Sequence, residues 1–156
     1  MEKNLIVYFS YSGNTEKLVK ETNKNFGFDV KRIERIIPYS QDYDTCAYTE
    51  AKDEWEKRVC PEIKKISVDF SGYNNILLFF PIWWYTFPMP VASFVKTLKG
   101  FEGSIYVFAN SYTNDAHYMK NSMTDLKNLD NNLNFKEGLF NKPVSSHIDF
   151  IKNIIS

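Results

Sequence analysis

The chain of 156 residues is 44% hydrophobic and 17% aromatic, which suits one globular domain, residues 1–156, with a sizeable core. Its 19 basic and 19 acidic residues balance, so charge gives no reason to expect nucleic acid or an anionic membrane as a partner. The N-terminal apolar run is too short for a signal peptide or a membrane span, and Cys46 and Cys60 form no CxxC motif, which favours a cytoplasmic protein with reduced thiols.

The first predicted strand, Leu5 to Phe9, is an apolar run that passes through a short polar turn into a helical pattern. Such a turn can bind an anion, because backbone N–H groups converge at a helix N-terminus and the helix dipole favours negative charge there. Gly13 supplies the backbone freedom that the turn needs. An ordinary helix cap without a ligand is the alternative interpretation. The candidate phosphate-binding residues are Ser10, Tyr11, Ser12, Gly13, Asn14 and Thr15.

The middle of the chain continues the alternation of strands and helices. Residues 28–33 alternate apolar and polar side chains, as a half-buried strand near a sheet edge does. Apolar residues at helical spacing predict a helix over residues 49–67, kinked or split at Pro61. Residues 75–80 form a continuous apolar run that is typical of a central strand, and a helix is predicted over 90–98.

The last third of the chain predicts two more strand and helix pairs. A buried strand over residues 104–109 opens into a polar loop, and a helical pattern continues to Leu129. Residues 133–139 can form a weaker last strand, and Ser146 with Asp149 resembles a capping box before the closing helix. Strand and helix thus alternate five times, which predicts an α/β fold with a parallel sheet covered by helices on both faces.

The most specific feature of the sequence is an aromatic loop between Pro81 and Pro88, directly after the third predicted strand. A hydrophobic plug over the sheet edge is the simpler interpretation. Flat, partly solvated aromatic rings also suit a planar ligand, since offset stacking adds about 0.5–1.5 kcal/mol beyond buried area. We favour the ligand and take as candidate ring-binding residues Pro81, Ile82, Trp83, Trp84, Tyr85, Thr86 and Phe87.

Both segments resemble a known family. Ser10-x-Ser12-Gly13-Asn14-Thr15 resembles the FMN-phosphate loop of flavodoxins, and Pro-Ile-Trp-Trp followed by Pro-x-Pro is similar to the isoalloxazine-binding loop of a bacterial flavodoxin subfamily. That subfamily often shows the Asp-Tyr-Asp that stands here at residues 42–44. The resemblance implies a flavodoxin-like three-layer sandwich with a five-stranded parallel sheet in the order 2-1-3-4-5. In such a fold the ligand lies at the carboxyl ends of strands 1, 3 and 4.

The resemblance also implies a function. It predicts FMN as the cofactor, with its phosphate on residues 10–15 and its ring between residues 81–87 and a third loop, residues 110–115, in which Asn110, Ser111 and Tyr112 are the candidate binding residues. The protein would be an electron carrier between redox partner proteins, a monomer or weak dimer, with no catalytic side chain and no metal. Its influence on the flavin would come from aromatic stacking, from a backbone N–H of residues 84–87 and from apolar burial.

Two other functions on the same fold stay open. In an NAD(P)H-dependent flavin or quinone reductase, Tyr85, Tyr112 or His117 could donate a proton, although His117 is more simply a surface residue. His147 is expected to lie far from strands 1, 3 and 4 and is given no role. A module that no longer binds flavin is the other possibility, because Tyr85 stands where the subfamily usually has glycine and the third loop has none.

Three further classes of protein share parts of this architecture, but this chain lacks the residues that each of them requires. A phosphorylated receiver needs an acidic cluster at the ends of strands 1 and 3, where this chain has Ser10 and either Phe80 or Pro81. A P-loop NTPase needs Gly-Lys-Ser/Thr, and a low-molecular-weight phosphatase needs a cysteine in the first loop. The sequence contains neither.

Overall fold

One parallel sheet organises the protein, which we describe over residues 2–155 of a computed structural model. Its five strands pair in the order β2–β1–β3–β4–β5, which confirms the predicted order 2-1-3-4-5. β1, β3 and β4 pair with neighbours on both sides, as their continuous apolar runs predict. The strands are β1 (Asn4–Tyr8), β2 (Asp29–Arg32), β3 (Asn75–Pro81), β4 (Ser104–Asn110) and β5 (Asn134–Phe140).

Helical segments connect the strands in sequence. The longer helices are α1 (Asn14–Asn23), α4 (Met89–Lys96), α5 (His117–Leu129) and α6 (Val144–Ile155). Between β2 and β3, three short segments follow one another without a break: α2 (Tyr43–Thr45), a π-helix (Cys46–Ala51) and α3 (Lys52–Lys57). A 3₁₀ turn (Phe70–Gly72) precedes β3. No helix in the described part of the chain is both long and apolar enough to span a bilayer.

The core has two halves, one on each face of the sheet. Side chains alternate between the faces along a strand, so Ile6 packs toward Val19 of α1 and Ile151 of α6. Leu5 points the other way, into the cluster that contains Phe94 of α4 and residues of α5. The three layers therefore leave the carboxyl edge of the sheet uncovered by helices, and the connecting loops lie there.

Both boundaries of the helix predicted over residues 49–67 are wrong. Helical structure begins at Tyr43, because the Asp42 carboxylate accepts the Thr45 N–H at 3.0 Å and caps the segment. It ends at Lys57, since Arg58 adopts a left-handed backbone with a φ of 53°. Pro61 consequently lies outside the helix and kinks nothing.

Two predictions about the last helix are also wrong. Ser146 caps no helix, because the helix already begins at Val144, and the Ser146 N–H donates to the Pro143 carbonyl at 3.1 Å. His147 is not remote from the central strands. It is buried with 1% exposure and stacks on Phe79 of β3 at 5.8 Å, because the first turn of α6 packs directly on the sheet.

The second strand differs from prediction in its burial. All four residues of β2 are exposed rather than half-buried, because β2 pairs only with β1 and has no neighbour on its outer side. The apolar residue that anchors this edge is Ile33, directly after the strand, with 1% exposure. The predicted position at the sheet edge is confirmed.

Candidate functional site

A cleft of about 540 Å³ opens at the carboxyl ends of β1, β3 and β4, within the size range of small-molecule sites. Three loops form it, which we number by the preceding strand: loop 1 (residues 9–13), loop 3 (residues 82–88) and loop 4 (residues 111–116). None of the lining residues carries a charged side chain. The lining comprises Tyr11, Ser12, Asn14, Thr15, Tyr43, residues 81–85, residues 110–113 and Tyr118.

Loop 1 presents backbone donors to one end of the cleft. The Ser10 hydroxyl accepts the N–H groups of Gly13 at 3.2 Å and Glu16 at 3.3 Å, and Gly13 takes a φ of 100° before α1 begins. The N–H groups of Ser12, Asn14 and Thr15 have no acceptor among residues 2–155. Unpaired amides at the positive end of a helix form an anion-binding arrangement.

A cation also supports loop 1 from outside the cleft. Arg32, at the end of β2, donates to the Ser10 carbonyl at 3.0 Å and to the Glu16 carboxylate at 3.0 Å. The Tyr8 hydroxyl donates to the same carboxylate at 2.6 Å and lowers the pKa of Glu16, while burial raises the pKa of Tyr8 to about 12. Sequence reasoning missed Arg32, since only the pairing of β1 with β2 brings it beside loop 1.

Hydrogen bonds connect the first turn of α1 with the end of β4 and with loop 4. The Thr15 hydroxyl is buried and donates to the Asn110 side chain at 2.9 Å. The Asn14 side chain donates to the Tyr112 hydroxyl at 3.2 Å. The structure thus brings together residues that are 95 and 98 positions apart, and it directs the Thr15 hydroxyl at the end of β4.

Loop 3 begins with a tight turn over residues 83–86. Trp83 and Thr86 exchange backbone hydrogen bonds at 2.8 and 3.3 Å, and the central residues Trp84 and Tyr85 have φ angles of 49° and 72°. Two successive left-handed residues define a type I′ turn, which favours glycine or asparagine. Among the described residues, no acceptor pairs with the N–H groups of Trp84 and Tyr85, so both are donors available at the cleft.

The two tryptophans pack against the protein as well as lining the cleft. Trp83 makes edge contacts with Phe9 and Tyr39, each with ring centroids 5.3 Å apart. Trp84 donates its indole N–H to the Ala47 carbonyl at 2.8 Å and stacks on Trp55 at 5.9 Å. These contacts fix the orientation of both indoles, so the aromatic wall is preorganised.

Loop 4 has no glycine, and an asparagine directly after β5 holds it. The Asn141 side chain accepts the Ser111 N–H at 2.6 Å and donates to Asn114 at 3.4 Å. Asn141 itself has a φ of 52°. Tyr112 remains 93% exposed at the mouth of the cleft, and Asn141 carried no signal that sequence reasoning could use.

The structure does not bring every candidate residue to the cleft wall. Four candidates lie behind it: Ser10, Gly13, Thr86 and Phe87. Ser10 and Gly13 shape loop 1, whereas Phe87 is buried against Phe80 at 6.1 Å. Tyr43 and Tyr118 line the cleft without having been predicted, and Thr113 of the predicted third loop lines it as well. Tyr43 belongs to the Asp-Tyr-Asp segment, whose helical position the sequence did not reveal.

The histidines and acidic groups lie outside the cleft. His117 is exposed and its ring nitrogen contacts the Asp115 carboxylate at 2.9 Å, while Tyr85 and Tyr112 do line the cleft. Within the described residues, no group of three His, Cys, Asp or Glu side chains could hold a metal ion. The arrangement therefore suits an anionic, planar molecule held by amides and aromatic rings.

The chain is similar to known flavoproteins. The family model described as flavodoxin matches residues 3–154. A protein from Bacteroides eggerthii DSM 20697, described provisionally as a flavoprotein, superposes with a TM-score of 0.83 at 25% identity, over 100% of this chain and 99% of its own. A flavoprotein in complex with FMN from Lactobacillus acidophilus NCFM gives 0.80 at 21% identity, over 97% and 99%. No curated protein sequence matches the chain significantly.

Proposed function

The chain belongs to the flavodoxin family, and we propose that it binds FMN in the cleft between loops 1, 3 and 4 and carries electrons between redox partner proteins. One observation supports this proposal above all others. The unpaired N–H groups of Ser12, Asn14 and Thr15 adjoin an uncharged cleft with tryptophan and tyrosine in its wall. A phosphate and a planar ring joined in one molecule match these two halves.

The residues present fit FMN. Loop 1 would bind the phosphate through backbone amides and the Ser12 hydroxyl, without a basic side chain in the cleft wall. Loop 3 and loop 4 would hold the ring, with the N–H groups of Trp84 and Tyr85 as donors to its polar edge. When bound, FMN supplies one- and two-electron transfer.

The protein itself contributes a preorganised binding surface and a cleft wall without charged groups. The indoles of Trp83 and Trp84 are held by packing before any ligand enters, which reduces the entropy lost on binding. Because the wall is uncharged and largely aromatic, it disfavours added negative charge. We therefore expect tight FMN binding and a low reduction potential.

The test is a titration of the apoprotein with FMN and with riboflavin, followed by flavin absorbance and tryptophan fluorescence. We expect FMN to quench tryptophan fluorescence and to bind more tightly than riboflavin. An apoprotein that shows no quenching and retains no flavin absorbance after gel filtration would contradict the proposal.

A substitution in loop 1 separates the phosphate contribution from that of the ring. Thr15→Val keeps the side-chain shape but removes the hydroxyl that joins α1 to Asn110, so the amides lose their fixed position. We expect FMN affinity to fall about tenfold, roughly one hydrogen bond, and riboflavin affinity to stay within twofold. Thr22→Val, at a buried threonine elsewhere on α1, is the matched control and should change neither. Equal losses for both ligands would contradict the phosphate assignment.

A flavin or quinone reductase is the second candidate. Tyr85 and Tyr112 line the cleft and are 53% and 93% exposed, so their hydroxyls could donate a proton there. His117, the other expected donor, does not line it. Steady turnover of NAD(P)H with a quinone, lost in Tyr85→Phe or Tyr112→Phe, would favour the reductase over the carrier.

A further inference from the structure

A second cavity lies behind the tryptophans of loop 3. This side pocket has a volume of about 220 Å³ and runs between loop 3 and the π-helix. Five residues border both the side pocket and the main cleft, namely Tyr11, Tyr43, Ile82, Trp83 and Trp84, whereas Cys46, Ala47, Tyr48 and Ala51 line the side pocket alone. The side pocket therefore adjoins the cleft across a shared wall and extends beyond it toward the π-helix.

The shape of the π-helix creates this space. Three of its residues facing the side pocket have short side chains, namely Cys46, Ala47 and Ala51. A π-helix has a wider turn than an α-helix and is frequent at functional sites.

The wall of the side pocket has few unsatisfied polar groups. The Trp84 indole N–H donates to the Ala47 carbonyl at 2.8 Å, and the Tyr11 hydroxyl donates to the Ser40 carbonyl at 2.6 Å. Burial raises the pKa of Cys46 to about 11, so its thiol is neutral at pH 7. No charged side chain lines the pocket. A wall without charged side chains favours uncharged ligands over ions.

We propose that the side pocket is a binding site for a single-ring, uncharged aromatic molecule. A buried apolar cavity of about 150 Å³ is sufficient for benzene, so 220 Å³ accommodates one ring with small substituents. The rings of Tyr48, Trp83 and Trp84 offer the faces and edges that aromatic ligands prefer. Only the expectation that the bound ring lies beside a flavin rests on the proposed function. The side pocket itself does not depend on flavin binding.

The test uses 4-methylphenol as the probe and the full chain with ¹³C-labelled alanine methyl groups. We expect saturable shifts of the Ala47 and Ala51 methyl signals, and none at Ala92 or Ala116. The benzoate anion, of similar size, should bind at least tenfold more weakly because the pocket has no cation. Shifts at all four alanines, or none at millimolar probe, would overturn the proposal.

Filling the pocket gives a second, independent readout. Ala51→Leu and Ala47→Leu should each weaken 4-methylphenol binding at least tenfold, while Ala116→Leu, at an exposed alanine outside the pocket, should leave it unchanged. Two variants are used because Ala51 is buried and its substitution could impair folding. Undiminished binding in both folded variants would overturn the proposal.

Titration with and without FMN separates this site from the flavin site. We expect 4-methylphenol to bind the apoprotein and the FMN-saturated protein with affinities within threefold of each other. Complete competition by FMN would overturn the proposal, because the side pocket would then be part of the flavin cleft. If the chain binds no FMN, the apoprotein titration still tests the side pocket while the proposed function fails.

Discussion

Tyr85 shows how a single residue can take over the role of a glycine. It occupies the second central position of the type I′ turn with a φ of 72°, where a side chain costs free energy. Its ring is nevertheless retained by Trp55 at 5.7 Å and Tyr118 at 6.1 Å. Strain held in place by packing is typical of ligand-binding loops, so the missing glycine is not evidence against a flavin site.

A pair of substitutions measures this strain. Tyr85→Ala removes the ring but keeps a Cβ in the left-handed conformation, whereas Tyr85→Gly removes both. We expect the glycine variant to be more stable than the alanine variant by about 1 kcal/mol, measured as the free energy of unfolding in urea. If alanine proves equal to glycine, the turn stores no strain at this residue.

Glu16 neutralises the cation that supports loop 1. Replacing it by Gln leaves Arg32 next to the Ser10 carbonyl without its partner carboxylate, so the field at the loop becomes more positive. We expect Glu16→Gln to bind FMN roughly two- to fivefold more tightly at low salt, with the gain lost near 1 M salt, and riboflavin to be unaffected. Glu21→Gln, with the same charge change further along α1, should give a smaller gain. Weaker FMN binding in Glu16→Gln would contradict this role.

At the scale of elements, the segment from Tyr43 to Lys57 supports loop 3 through buried charges. Glu54 of α3 is 7% exposed and accepts a hydrogen bond from the Tyr39 hydroxyl, and Arg35 approaches its other oxygen at 3.2 Å. Burial raises the pKa of Glu54 above its ordinary value. Since Tyr39 also contacts the Trp83 ring at 5.3 Å, these charges are connected directly to the cleft wall.

Removing the Tyr39 hydroxyl tests this support. Tyr39→Phe leaves a buried carboxylate oxygen without its donor, and we expect a loss of about 1–3 kcal/mol in the free energy of unfolding at pH 7. Loss of this donor raises the pKa of Glu54 in the folded variant further. A group whose pKa is higher in the folded than in the unfolded state stabilises the fold when it is protonated. The loss should therefore shrink as the pH falls toward 4.5. Tyr43→Phe, at an exposed tyrosine, should cost less than about 0.5 kcal/mol.

At the scale of the whole molecule, α6 packs on one face of the sheet and buries a histidine there. His147 stacks on Phe79 and Phe108, and its Nδ1 lies 2.9 Å from the Pro143 carbonyl. Its Nε2 is buried without a hydrogen-bond partner among the described residues. Burial lowers the pKa of His147 below its ordinary 6.5, so the folded protein holds this side chain neutral where the unfolded chain is protonated.

This histidine predicts a pH dependence of stability. Below pH 6.5 the unfolded state binds a proton that the folded state does not, so stability should fall by up to about 1.4 kcal/mol per pH unit. His147→Phe should remove this slope between pH 8 and pH 5.5 in urea unfolding. The exposed His117 provides the control, because His117→Gln should retain the slope of the parent protein. An unchanged slope in His147→Phe would contradict the assignment.

Loop 1 and the aromatic loop 3 were both recognisable from the sequence because their chemistry is local. A strand, a polar turn and a helix start are adjacent in the chain, and so are Pro81 and the two tryptophans that follow. The roles of Arg32 and Asn141 were not predictable, since each acts only through a strand pairing or a loop contact across the sheet. The start of the helical segment at Tyr43 was missed because an aspartate cap and a π-helix, not a hydrophobic period, define it.

By itself, the sequence determined the alternation of strands and helices and the burial of β1, β3 and β4, while the family resemblance of loops 1 and 3 implied the sheet order. Apolar runs and their spacing are encoded residue by residue, and few topologies satisfy them. Only the tertiary structure decided which atoms face the cleft. It placed Tyr43 and Tyr118 in the wall, turned the Thr15 hydroxyl toward Asn110, and buried His147 under α6. Those outcomes depend on contacts between distant segments, which no local pattern specifies.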